Sequence, residues 1–583
     1  MIKIFKYLRK REWIMILGCL ALVICQVWLD LKLPDYMSEI TTLVQTEGSL
    51  LAILTAGGFM LLCALGSLCT SFIVGYFSAK IAASFSMRLR EMVYDKTVSF
   101  SMEEIGHFST ASLITRSTND ITQIQTLVAM GLQAVVKAPI LAVWAIAKIA
   151  GKNYLFTIAT GVSIIFLLIM LSCILIFAVP KSKTIQQLTD NLNRTVREHL
   201  TGIRVVRAYN AESYQEQKFG KANDTVTKAN LFVNRFTAIM SPSMTLIMSG
   251  LTLAIYWIGA YLINHADALD KLPLFSDMVV FSSYAMQVIM AFMMLTMIFI
   301  MLPRAAVSAK RILEVLNTKS KIIDGEITES EYEGRIEFKN VSFRYPDAAE
   351  SVLENISFVA EKGETVAFIG STGSGKSTLI KLIPRFYDCT IGEVLVDDIN
   401  VKEYTQEALR NKIGYVSQKA IVFSGTVESN ISFGENGKGK PNDLQIIESA
   451  EIAQAWDFVS NIGLDGSVSQ GGGNLSGGQK QRLSIARAVC HAPEIYIFDD
   501  SFSALDYKTD RDLRKALNSN TKDATKLIVA QRISTIKDAD HIIVLDDGKM
   551  VGHGQHKELL KTCDVYKEIA LSQLSKEELE NEQ

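Results

Sequence analysis

Gly370-Ser371-Thr372-Gly373-Ser374-Gly375-Lys376-Ser377 fits the pattern G-x-x-x-x-G-K-[ST]. Its setting is the one that pattern needs. Glu364–Ile369 (ETVAFI) reads as a buried strand before it, and Lys376–Ile383 as a helix after it. Glycines at these spacings let successive backbone N–H groups turn inward around phosphate oxygens. The N-terminus of the following helix adds its dipole. Lys376 is placed to reach terminal phosphates and Ser377 to hold Mg²⁺, with Thr378 completing the nucleotide-binding set.

Working outward, Glu494-Ile-Tyr-Ile-Phe498 is an apolar strand that ends in Asp499 and Asp500. A carboxylate at that point suits Mg²⁺, a hard cation that takes oxygen ligands and keeps part of its water. Between the two motifs, Asn474-Leu475-Ser476-Gly477-Gly478-Gln479 opens a helix read over Gln479–Val489. Glycines ahead of a helix N-terminus make a second anion-binding end. One nucleotide needs only one phosphate loop, so this second site carries information.

The other half of the chain has a different character. The chain has 583 residues, 49% hydrophobic and 21% charged, with net charge −2. That excludes a mainly disordered chain and argues against a general nucleic-acid binder, which would be basic. Eight cysteines are too sparse for a disulfide scaffold and make no metal-ligand spacing. Residues 323–583 read as a soluble domain, whereas residues 1–310 hold six long apolar stretches. These lie near Trp13–Leu31, Leu50–Phe77, Leu127–Ala150, Tyr154–Val179, Ala238–Ile263 and Met278–Leu302. About 20 apolar residues span a bilayer.

Lys148 lies near the end of the third span and can snorkel. Lys137 is deeper and precedes Pro139, so it faces a wet cavity or lies close to an interface. Met1–Arg11 carries Lys3, Lys6, Arg9, Lys10 and Arg11 and reads as a short amphipathic helix on the membrane face. Those charges place the N-terminus, and after six spans the C-terminal half, in the cytoplasm. The first apolar run is too long for a cleaved signal peptide and is followed by Asp30, Pro34 and Asp35 rather than a cleavage site. Gly151–Asn153 joins spans three and four, while the connections over 78–126 and 180–237 look helical and extend the spans into the cytoplasm.

The phosphate loop, the Leu475–Gln479 signature and the Ile495–Asp499 strand together resemble an ABC transporter ATPase domain. Six spans followed by one such domain resemble a half-transporter of the ABC exporter type, over about residues 1–575. The resemblance implies a polytopic α-helical membrane domain (1–316), a linker (317–334), an α/β P-loop ATPase domain (335–575) and a short acidic tail (576–583). It implies the cofactors ATP and Mg²⁺, a cell-membrane location, and a second half-transporter as partner. In that family, two ATP molecules sit head to tail, each between one chain's phosphate loop and the other's signature. Ser476, Gly477, Gly478 and Gln479 would therefore serve the partner's ATP. Tyr345 is similar to the aromatic that stacks on adenine, and Gln418 to the loop glutamine that contacts Mg²⁺ and the membrane domain. Ser503-Ala-Leu-Asp506 is similar to the loop that crosses to the other ATPase domain. Glu103–Asp120 and Val206–Phe219 resemble segments carrying coupling helices.

The chain departs from that pattern within one ATP site. Where the family has a glutamate that positions the attacking water, this chain has Asp500; where it has a switch histidine, this chain has Gln531. Gln470 likewise stands where a glutamate is often found ahead of the signature. Aspartate is shorter by one C–C bond, about 1.5 Å, and a misplacement of about 1 Å can cost about 100-fold in rate. Glutamine can donate a hydrogen bond but cannot carry a proton. The expectation is a site that holds ATP and turns it over slowly. A heterodimer would then place the working glutamate and histidine on the partner, as in heterodimeric bacterial ABC exporters with one degenerate site.

The sixth span places Met286, Met290, Met293, Met297 and Met301 on one helical face, and Met240, Met244 and Met248 line the fifth. Such faces suit varied apolar ligands, or else they meet lipid or fill the core. The leading expectation is ATP-driven export of lipophilic or drug-like compounds. The alternatives are a narrow-substrate peptide or lipid exporter or flippase, an importer on the same fold, and a regulatory subunit.

Overall fold

The computed structural model describes residues 2–150, 154–267, 270–331, 333–346 and 348–573. The Gly151–Asn153 loop and the acidic tail lie outside the described residues. The chain divides into two units, one of residues 1–98 and 111–318, the other of residues 99–110 and 319–583.

The first unit is helical. It comprises α1 (Lys10–Gln45), α2 (Leu50–Val98), α4 (Thr110–Ser117), α5 (Asn119–Ala150), α6 (Tyr154–Thr201), α7 (Ile203–Ala208), α8 (Glu212–Ala238), α9 (Met240–His265) and α10 (Lys271–Asn317). The short α3 (Met102–Phe108) belongs to the second unit. At about 1.5 Å per residue, the 49 residues of α2 are more than twice what a bilayer needs. The excess agrees with the helical reading of the long connections.

Five described helical stretches are long and apolar enough to cross a membrane. The fourth expected span falls on α6, whose described apolar part, Tyr154–Met170, is shorter. Only 6% of the apolar window of α2 is buried, and Leu51, Phe72 and Trp257 are each at least 73% exposed. Apolar surface on that scale is at home in lipid, not in water. The N-terminal segment forms a 3₁₀ turn over Ile2–Tyr7 rather than a longer amphipathic helix. Ile4 is buried, Phe5 stacks on Phe85, and Arg88 clamps both the Tyr7 carbonyl and the Glu12 carboxylate.

Inside the spans, charge is paired. Lys148 Nζ lies 2.9 Å from Asp35 Oδ2, and the single proton of the buried Tyr284 hydroxyl faces Asp35 Oδ1 (2.5 Å) and the Leu31 carbonyl (3.1 Å). This ties α1, α5 and α10 together around a core of Val27, Leu141, Phe156, Phe281 and Val288. Lys137, left open by its sequence context, pairs with Asp30 at 2.9 Å. The methionines divide. Met244 and Met278 are core, whereas Met290 and Met297 on α10 are about half exposed.

The second unit is α/β. Its strands are β1 (Ile336–Phe343), β2 (Leu353–Ala360), β3 (Thr365–Gly370), β4 (Ile391–Val396), β5 (Ile399–Asn400), β6 (Ile413–Val416), β7 (Gly425–Thr426), β8 (Ser467–Val468), β9 (Ile495–Asp499), β10 (Thr525–Val529), β11 (His541–Asp546) and β12 (Lys549–Gly554). The main sheet runs β12-β11-β3-β10-β9-β6, and all its pairings are parallel except β11 with β12. A smaller antiparallel sheet runs β2-β1-β4-β5. Both faces of β3, β9 and β10 are covered, so these strands are nearly continuous apolar runs. Part of the stretch expected to be linker is ordered here, with Gly325 and Ile327 bonding to the Glu403–Tyr404 backbone.

Replacing Tyr284 by Phe removes the hydroxyl that faces Asp35 and the Leu31 carbonyl and leaves Asp35 Oδ1 without its hydroxyl donor. We expect a loss of about 1 kcal/mol in stability, read as a lower thermal midpoint in lipid nanodiscs. An unchanged midpoint would show that Lys148 alone satisfies Asp35.

Candidate nucleotide site

The phosphate loop joins β3 to the helix Lys376–Leu382. Its glycines are required by geometry. Gly375 has φ +93°, and a Cβ there would lie 2.7 Å from Leu353 Cδ2 and 2.9 Å from the Val352 carbonyl. The Lys376 ammonium is held by the loop itself, donating to the carbonyls of Gly370 (2.8 Å) and Ser371 (2.6 Å) and to Ser374 Oγ (3.2 Å). Burial pushes its pKa down, against the pull of Asp500 and Asp499. Thr372 and Gly373 complete the exposed tip of the loop.

Parallel pairing of β9 with β10, and of β10 with β3, brings the end of β9 to this loop. Ser377 Oγ donates to Asp499 Oδ1 at 2.6 Å. Tyr415 Oη reaches Asp499 Oδ2 at 3.4 Å. A hydroxyl and a carboxylate in contact form an oxygen donor set of the kind Mg²⁺ takes. Tyr345 donates to or accepts from Thr378 Oγ1 at 3.1 Å. Its ring meets Tyr387 edge-on with centroids 5.3 Å apart. The proposed adenine-stacking aromatic therefore stands beside the phosphate-loop helix.

Asp500 occupies a left-handed turn, φ +49°, immediately after β9. Its N–H donates to the Val529 carbonyl (3.0 Å), and its own carbonyl accepts from Ser503 Oγ (2.9 Å). The backbone is thus pinned on both sides. One carboxylate oxygen, Oδ2, accepts from Gln531 Nε2 at 2.8 Å and from Gln418 Nε2 at 3.3 Å. Burial raises the Asp500 pKa, the Asp499 charge adds to this, and the hydrogen bonds from Gln418, Ser503 and Gln531 oppose it. The Gln531 carbonyl in turn accepts from Gln573 Nε2 at 2.8 Å. All three sequence-predicted residues, Gln418, Asp500 and Gln531, thus meet at one oxygen atom.

The signature stands apart. Ser476 caps the helix Gly477–Cys490, accepting from the Gln479 N–H (3.3 Å), while Gln479 Oε1 accepts from the Ser476 N–H (2.8 Å). This capping box starts the helix two residues earlier than its apolar pattern suggests. No hydrogen bond among the described residues joins Ser476–Gln479 to the phosphate loop. A Cβ at Gly477 would meet nothing within 4 Å, so this face is open. Asp506 caps the next helix, Tyr507–Asn520, through the Thr509 N–H.

Sequence reasoning assigned no role to Tyr415, Ser503 Oγ or Gln573. Tyr415 and Ser503 lie inside motifs that were read for other residues. Nothing local marks Gln573, which reaches the site from the last described helix, Asp564–Gln573.

Two outcomes follow from this geometry. Gly375→Ala should cost about 1–3 kcal/mol of loop strain and weaken ATP binding measured by equilibrium titration; unchanged affinity would show that the loop relaxes freely. Asp500→Asn removes a carboxylate whose charged form is disfavoured by folding. A raised carboxyl pKa costs stability above that pKa and ceases to do so as the pH falls through it. The variant should therefore unfold no lower than the parent at neutral pH, with any advantage shrinking on acidification. A lower midpoint at neutral pH would contradict this.

Comparison with known proteins places this geometry in a family. The description "ABC transporter transmembrane region" matches residues 15–292, and "ABC transporter" matches residues 353–503. The chain is 39% identical over 554 residues to an uncharacterized ABC transporter ATP-binding protein of Mycobacterium tuberculosis (strain CDC 1551 / Oshkosh), covering 93% of each chain. It is 35% identical over 504 residues to the uncharacterized ABC transporter ATP-binding protein YfiB of Bacillus subtilis, covering 86% of each. It is 31% identical over 492 residues to an ATP-dependent lipid A-core flippase of Pseudomonas putida, covering 84% of this chain and 80% of the flippase. Its fold matches the structure of a bacterial Atm1-family ABC exporter with ATP bound, with TM-score 0.80 and 24% identity over 97% of this chain and 100% of that one. The chain belongs to the ABC transporter family, with a helical transmembrane domain followed by an ABC ATPase domain that binds ATP and couples its hydrolysis to transport.

Proposed function

We propose that this chain is one half of a heterodimeric exporter of lipophilic compounds, and that its own ATP site binds nucleotide but turns it over slowly. The observation that carries this reading is the junction of Gln418, Asp500 and Gln531 at one carboxylate oxygen. Asp500 is too short by about 1.5 Å to stand where a glutamate carboxylate would, and its backbone is pinned, so it cannot advance. Gln531 presents an amide where a histidine would accept or release a proton. Lys376 and the loop N–H groups would still bind and orient the phosphates. Ser377, Asp499 and Gln418 would hold Mg²⁺, which supplies charge neutralisation on the phosphates when bound.

The exposed, capped signature supports the other half of the proposal. Ser476, Gly477, Gly478 and Gln479 would complete an ATP site on the partner's phosphate loop, and that site would hydrolyse. The coupling segments divide in a compatible way. α3 belongs to the unit that contains this chain's ATPase fold, with Glu103 paired to Lys321 and Glu104 accepting from the Lys321 N–H. α7 belongs to the membrane unit and would serve the partner's ATPase domain. The N-terminus and both ATPase domains would be cytoplasmic. The half-exposed methionine face of α10 suits lipophilic cargo. A lipid flippase is the second reading, favoured by the flippase relatives.

The test is ATP turnover by this chain purified alone in lipid, against the double variant Asp500→Glu, Gln531→His, with ATP binding measured in parallel. The reading predicts binding without appreciable turnover in the parent, and a gain of at least about tenfold in the variant. Brisk turnover by the parent would leave a working homodimer in its place.

A further inference from the structure

We propose that the membrane domain carries a recognition site for a zwitterionic headgroup, built from Asp30, Lys137 and Gln287. The inference rests on the reading of the chain as an exporter of lipophilic compounds and names the class of cargo: amphiphiles whose head carries a primary ammonium beside an anion. Two carboxylates of α1 are involved in ion pairs with α5, and the two pairs differ. Around Asp35 the groups form a closed staple, with Lys148 on one oxygen, the buried Tyr284 hydroxyl on the other, and Lys32 at 3.7 Å. Around Asp30 the set is less complete. Asp30 Oδ2 lies 2.9 Å from Lys137 Nζ, and Oδ1 accepts from Ser67 of α2. Lys137 has three N–H donors, and Asp30 is its one ion-pair partner among the described residues. Gln287 of α10 donates from Nε2 to the Asp30 carbonyl at 3.3 Å, while its buried Oε1 has no hydrogen-bond partner. A buried acceptor without a donor is costly, and Gln287 as a whole is only partly buried, so a turn of its amide would offer this oxygen to a ligand N–H.

Both charged side chains keep surface, 20% for Lys137 and 23% for Asp30. The position also joins an apolar wall. On α10, Gln287 lies at the edge of the face that carries Met286, Met290 and Met297, within three turns. Headgroup and tail contacts are therefore contiguous.

Charge balance selects the ligand class. The pair is neutral overall, in surroundings where an uncompensated charge is costly. A purely cationic or anionic head would leave one member of the pair facing a net charge. A zwitterion exchanges partners without changing the total: its ammonium meets Asp30 and Gln287 Oε1, and its anion meets Lys137. Ammonium N–H groups are needed for the glutamine oxygen, which disfavours a trimethylammonium head.

The experiment is saturable binding of radiolabelled lysophosphatidylethanolamine to the full chain in nanodiscs of phosphatidylglycerol, above the binding to empty nanodiscs. No nucleotide turnover or partner is involved, so the result is independent of how the ATP site behaves. Competitors are lysophosphatidylcholine, lysophosphatidylglycerol and Nε-lauroyl-lysine, whose amino-acid head separates a carboxylate zwitterion from a phospholipid one. We expect lysophosphatidylethanolamine, Nε-lauroyl-lysine or both to bind at least about tenfold more tightly than the choline and glycerol lipids. The double variant Asp30→Asn, Lys137→Gln should abolish that preference, and Gln287→Leu should reduce it with the ion pair left in place. Equal binding of all heads, or a preference that survives both variants, would overturn the proposal. If the double variant does not fold, the ranking of heads on the parent chain and the Gln287→Leu result decide.

Discussion

Two carboxylates close the buried strand β9, one residue apart, in a region where like charges repel strongly. The fold resolves the repulsion by giving each its own donors. Asp499 takes the hydroxyls of Ser377 and Tyr415. Asp500 turns away through a left-handed backbone and takes the amides of Gln418 and Gln531. The turn is held by β10 through the Val529 carbonyl and by the following loop through Ser503. The proposed roles of this site hang on that turn: Asp499, which would hold Mg²⁺, on one side, Asp500 in the place of the family's glutamate on the other, and the loop of Ser503–Asp506 beyond.

In the proposed slow site, the pinned turn would give a one-methylene difference its weight. A mobile aspartate could move forward by an ångström at small cost. Asp500 has its N–H and its carbonyl both engaged, and its side-chain oxygen already accepts from two amides. Neutral donors hold a carboxylate in place without offering a route for a proton. The same arrangement suits a site whose task is to keep two ATPase domains together. The open signature on the helix Gly477–Cys490 keeps its capping geometry, as a half-site needs when its other half comes from a second chain.

Much of this was legible in the sequence because it is local. The phosphate loop, the acids ending β9 and the signature each lie within a few residues, and their chemistry is set by spacing. The helical extensions followed from apolar periodicity. What stayed illegible depends on distant partners. Lys148 meets Asp35 across 113 residues, and no local pattern announces the pair. Lys137 looked ambiguous for the same reason. The methionine lines read alike in sequence, yet Met244 is packed and Met290 is half exposed, because only tertiary contacts separate the two faces. The signature helix began earlier than its apolar pattern because a capping box, not hydrophobicity, sets its start.

The fate of nucleotide bound to this chain's phosphate loop decides whether the loop would retain ATP unhydrolysed. The chain is loaded with labelled ATP and Mg²⁺, separated rapidly from free nucleotide, and the bound label is identified after a delay. A loop that binds ATP and turns it over slowly returns the label mainly as ATP. Recovery mainly as ADP would contradict slow turnover.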